Sequence, residues 1–78
     1  MFTPMPLKIL GREIGTSTGW DGDPGTYMQF YDYIPKTGVN LEACDCLCFD
    51  GEQGKFQILN EDGNPTKEWD VIEILKNL

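Results

Sequence analysis

Histidine is absent from the 78-residue chain. Without an imidazole there is no Ser-His-Asp triad and no histidine-based acid–base chemistry at neutral pH. Bases are scarce: six Lys and Arg stand against thirteen Asp and Glu, for a net charge of −7. That sign repels phosphates, so neither direct nucleic-acid binding nor attachment to an anionic membrane is expected. No apolar run approaches the roughly 20 residues that span a bilayer. The opening MFTPMPLKIL lacks a basic start followed by an apolar stretch of about 7–15 residues, so no secretory signal is expected and the chain reads as cytoplasmic. Cysteines number three, an odd count that does not suit a secreted disulfide scaffold.

Phosphate-binding motifs are missing as well. Gly11, Gly15, Gly19, Gly22 and Gly25 are irregularly spaced and no lysine follows them as a P-loop requires. Asp21-Gly22-Asp23 looks like the start of a calcium loop, but the third ligand and the closing glutamate are absent and Pro24 intrudes. Two carboxylates could hydrolyse a glycoside only in a cleft that a chain of this length rarely forms. The expectation is a protein with no enzymatic activity and no cofactor.

What the chain does contain is a globular composition, 40% hydrophobic and 24% charged, punctuated by nine glycines and five prolines. It predicts one domain over residues 1–78, preceded by an extended arm at 1–6 where Pro4 and Pro6 forbid a helix. Leu7–Leu10 and Arg12–Ile14 read as one strand interrupted, as by a bulge, at Gly11. Gly15–Gly25 reads as a loop with a tight turn at Asp21-Gly22 or Pro24-Gly25. Thr26–Ile34 is the clearest strand, ended by Pro35. Strict alternation puts Met28, Phe30, Asp32 and Ile34 on one face and Tyr27, Gln29, Tyr31 and Tyr33 on the other, which would make a tyrosine stripe.

Lys36–Gly38 is a turn, Val39–Phe49 holds one long strand or two short ones, and Lys55–Leu59 is a strand. Glu61–Pro65 carries a strong turn signal. The tail favours a short helical turn near 65–69 followed by a strand over 70–75. The alternative is a helix capped by Thr66, with Val71, Ile72, Leu75 and Leu78 on one side. The fold class is therefore mainly β: a small bent sheet or SH3-like barrel of four or five short strands with at most one short C-terminal helix.

Cys44, Cys46 and Cys48 are each two residues from the next. Sulfurs bound to one zinc lie within roughly 4 Å of each other, whereas same-face neighbours on a strand stand about 6.6 Å apart. Glu42, Asp45 and Asp50 raise thiol pKa values instead of activating the thiols. The stretch reads as a core strand with the three cysteines on one face, and no metal ligand set is predicted.

Charge is uneven. Residues 1–39 carry four acids and three bases, and residues 40–78 carry nine acids and three bases, hence −1 and −6. Carboxylates beside aromatic residues suit a partner bearing Arg and Lys. The chain thus reads as a small acidic interaction protein that binds and modulates a larger basic or nucleic-acid-binding protein. The predicted contact residues are Tyr31, Tyr33 and Trp69 as anchors, flanked by Glu61, Asp62, Glu68 and Asp70. A homo-oligomeric assembly protein and a thiol-based metal or redox sensor are the alternatives. In size, acidity, lack of catalytic residues and compactness the chain resembles the small accessory proteins and inhibitors of phages and mobile elements, a likeness of type carried by no motif.

Overall fold

The computed structural model describes residues 3–23, 25–37 and 39–78. It is mainly β, as the composition predicts. Seven strands run β1 (Met5–Ile9), β2 (Arg12–Ser17), β3 (Gly19–Asp23), β4 (Tyr27–Pro35), β5 (Cys44–Asp50), β6 (Lys55–Leu59) and β7 (Pro65–Asp70), followed by the helix α1 (Val71–Lys76). All pairings are antiparallel, in the order β1-β2-β4-β5-β6-β7, with β3 also paired to β4. Among the described residues the ends of that order, β1 and β7, are not paired with each other, so the sheet is open.

Seven strands replace the expected four or five, for local reasons. Leu10 and Gly11 both take positive φ, 52° and 78°, and Ile9 pairs with Arg12. They form the two-residue turn of a hairpin, where the sequence suggested a bulge in one strand. The Gly15–Gly25 stretch is not a loop but most of β2 and β3, which lie along β4 in a single register. Gly15 and Gly22 serve close strand approach: a Cβ on Gly22, at φ 110°, would collide with the backbone of Tyr27 and Met28. The turn that follows closes with the Thr26 amide donating to the Asp23 carbonyl at 3.1 Å. Of the turns proposed from sequence, Pro24 and Gly38 lie outside the described residues, as do Met1 and Phe2 of the arm; β1 begins at Met5.

The tail is inverted relative to expectation. Pro65–Asp70 is a strand whose Trp69 opposes Phe56 and whose Glu68 opposes Gln57; the helix comes after it. Burial decides this. Val71 and Ile74, three residues apart, share the side of α1 that enters the core, while Ile72 is exposed. As a strand, the same residues would lose that common face.

One hydrophobic cluster holds the sheet together: Leu7, Ile9, Ile14, Phe30, Tyr33, Leu41, Leu47, Phe56, Val71 and Ile74. The facing of side chains inverts across the level of Asp32 and Asp45. On one side of it Phe30 and Leu47 point inward; on the other, Tyr33 and its partner Cys44 pack on the core. Asp32 sits at φ 51°, and its carboxylate accepts a hydrogen bond from the Thr18 hydroxyl at 3.0 Å. A residue in the left-handed region breaks the two-residue alternation of a strand. This corrects the tyrosine stripe: Tyr33 is only 1% exposed, and its hydroxyl donates to the Ile14 carbonyl at 2.7 Å.

Candidate functional site: the outer face of the sheet

Helix α1 and the core cover one side of β3–β7. Cross-strand pairing fixes what stands on the other. Directly opposed residues point to the same face, and the pairs Asp21–Gln29, Asp23–Tyr27, Gln29–Cys48, Tyr31–Cys46, Tyr27–Asp50, Cys48–Gln57, Asp50–Lys55, Gln57–Glu68 and Lys55–Asp70 form one continuous set. This outer face carries five carboxylates (Asp21, Asp23, Asp50, Glu68 and Asp70) and a single cation, Lys55. Lys55 reaches Glu68 at 3.8 Å, and Gln57 donates to the same carboxylate at 3.0 Å.

The middle of the face is aromatic. Tyr27 and Tyr31 are each a little under two-fifths exposed. Burial pushes the Tyr27 hydroxyl up to about 12, and a hydrogen bond with Cys48 adds to the shift. The Tyr31 hydroxyl is raised too, first by desolvation and then by the charge of Asp21 beside it. Both rings therefore stay neutral near pH 7, with polar tips among carboxylates.

The structure divides the seven residues predicted from sequence. Tyr31, Glu68 and Asp70 lie on the outer face. Tyr33 is in the core. Trp69 alternates to the inner side and packs against the core cluster, away from Glu68 and Asp70. Glu61 and Asp62 are exposed in the β6–β7 turn, where the Asn60 side-chain oxygen accepts from the amides of Asp62 and Asn64. Asp21, Asp23, Tyr27 and Asp50 were not singled out as contact residues. The alternation of Tyr27 with Tyr31 was visible in the sequence. The assignment of Asp21 and Asp23 to a strand was not, because their glycine-rich surroundings look like a loop.

The cysteines are also divided. Cys44 packs against the core, whereas Cys46 and Cys48 stand on the outer face, with Cys48 fully covered. Their sulfurs lie 3.8 Å apart, closer than a flat strand allows, because the side chains lean together. Burial pushes the Cys46 thiol up to about 11, with Cys48 adding to the shift, and burial raises Cys44 as well. No group of three or more His, Cys, Asp or Glu side chains is placed to hold a metal ion among the described residues. No helix among them is long and apolar enough to cross a membrane.

Comparison of the chain with protein-family models, with curated proteins and with solved structures finds no match.

Proposed function

We propose that this chain is a small acidic interaction protein whose outer sheet face binds a larger, basic protein and modulates it by covering the surface that partner offers to nucleic acid. In this it acts as an accessory inhibitor of the kind phages and mobile elements carry. One observation supports the reading above the others: five carboxylates surround two part-exposed tyrosines on a face that no element among the described residues covers, with Lys55 the single cation among them.

The division of labour follows from charge and burial. Asp50 on β5 lies two strands from Asp23 on β3 and two from Asp70 on β7, about 10 Å each way, close to the Debye length of roughly 10 Å at 0.1 M salt, so neighbouring carboxylates add their fields and steer a basic partner. Tyr27 and Tyr31 supply large contact area with few rotatable bonds, so they anchor the complex once formed. Glu61 and Asp62, in the β6–β7 turn, add to the steering. Trp69 and Tyr33 support the fold from behind.

Affinity capture from a host lysate, in low and in high salt, tests the reading. The expected partner is retained in low salt by the native chain and released as salt rises. It is lost from an Asp21→Lys, Asp23→Lys variant. Capture that persists unchanged in high salt and in that variant would remove the electrostatic reading.

A further inference from the structure

Charge does not account for the two thiols at the centre of the outer face. The Cys46 and Cys48 sulfurs stand 3.8 Å apart. Two bonds of about 2.3 Å, the usual zinc–thiolate length, reaching both sulfurs from a single atom would meet at about 111°. A linear two-coordinate ion would need the sulfurs about 4.6 Å apart at the same bond length. The pair therefore suits an atom with bent bonds. Tetrahedral zinc has such bonds but needs further protein donors, and the described residues place no third one.

Electrostatics narrows the choice further. Cys48 is fully buried, and Asp21, Asp23 and Asp50 share the face. An anionic adduct, such as a bis-thiolate of a monovalent ion, would leave an uncompensated charge in a desolvated, acidic setting. A neutral adduct carries no such cost.

We infer that Cys46 and Cys48 form a dithiol site for trivalent arsenic, taken up as the neutral oxyacid As(OH)3. Its arsenic carries a lone pair and three pyramidal bonds. The step is As(OH)3 + 2 RSH → As(OH)(SR)2 + 2 H2O. Two As–O bonds break and two As–S bonds form. Each thiol proton leaves on a departing hydroxide as water, arsenic stays trivalent, and the product is neutral. Part-exposed Cys46 takes the first bond, and Cys48, already within reach, closes the second. Cys44 takes no part, since it packs against the core cluster.

The experiment incubates the reduced full chain with sodium arsenite, removes free arsenite by gel filtration, and measures arsenic per chain together with free thiols. One arsenic per chain with one thiol left free is expected. Cys46→Ala should weaken retention about 100-fold or more, the loss of a chelating second site, while Cys44→Ala leaves it unchanged. If circular dichroism shows that Cys46→Ala does not fold, Cys46→Ser, which keeps size and polarity, is read in its place. Urea-unfolded chain should hold arsenite at least about tenfold more weakly, because folding brings the sulfurs together. Three free thiols after native treatment would overturn the inference. So would a Cys44→Ala variant as impaired as Cys46→Ala, or an unfolded chain that binds as well as the folded one. The readout uses the protein alone, so it is independent of the proposed partner.

Discussion

Replacing Tyr33 by Phe removes one oxygen from the middle of the core, and the structure sets what that should cost. The hydroxyl donates to the Ile14 carbonyl at 2.7 Å, and the tyrosine is 1% exposed. The same carbonyl also accepts from the Lys36 amide at 3.0 Å. Loss of the hydroxyl therefore leaves no orphaned acceptor, and the cost is that of a net hydrogen bond, about 0.5–1.5 kcal/mol. Urea unfolding reads it directly. For a chain of this size, with an m-value of about 1 kcal/mol/M, the midpoint should fall by about 0.5–1.5 M with unchanged slope. Tyr33→Ala empties an aromatic site instead, at about 3–5 kcal/mol, a large share of the stability of so small a domain. Partner capture by Tyr33→Phe should equal that of the native chain. An unchanged urea midpoint combined with weakened capture would refute the reasoning, since it would put Tyr33 on the surface. A loss well above 3 kcal/mol would show that the Lys36 amide does not support the carbonyl.

Other outcomes follow from the same geometry. Gly22→Ala forces a Cβ into the β4 backbone at a φ of 110° and should cost about 2 kcal/mol or more, visible as a lowered thermal midpoint with faster exchange of the β3 amides. Tyr31→Ala, on a part-exposed face, should leave stability within about 1 kcal/mol of native yet raise the dissociation rate from a basic partner about 10-fold, as surface plasmon resonance would show. Alkaline pH should destabilise the fold. The thiols of Cys44 and Cys46 and the hydroxyls of Tyr27 and Tyr33 all have raised pKa values when folded, so the folded state holds protons that the unfolded state releases. Their contribution is complete below the ordinary thiol value of 9.0 and is lost from there upward, through about 11 for Cys46. The urea midpoint should fall as pH rises above about 9, less steeply in Cys46→Ser.

The sequence showed the central strands because their apolar residues and their bounding turns agree. β4 and β6 begin and end within a residue of where the pattern places them. It concealed β2 and β3 because the glycines that let these strands approach β4 are the same signals that mark loops. It inverted the tail because Val71, Ile72 and Ile74 have β propensity, and only tertiary packing makes Val71 and Ile74 one helical face. For the candidate site, Tyr31, Glu68 and Asp70, which the sequence points to as contact residues, do share the outer face, and the excess of acid was legible. The inversion of facing at Asp32 was not, because a period of two assumes that every residue is extended, and it moved Tyr33 from the expected surface to the core. Leu10 is similar: nothing in its type announces a positive φ.

The central claim is that acidity is focused on the outer face of β3–β7 and not merely spread over a soluble surface. Backbone amide shift mapping of the isotope-labelled chain, titrated with a ten-residue arginine peptide in low salt, tests it most directly. The largest shifts should fall on Asp21, Asp23, Tyr27, Tyr31, Asp50, Glu68 and Asp70, and should vanish near about 0.5 M salt as screening shortens the field. Shifts of equal size at acids away from that face, such as Glu13 and Glu42, would contradict it.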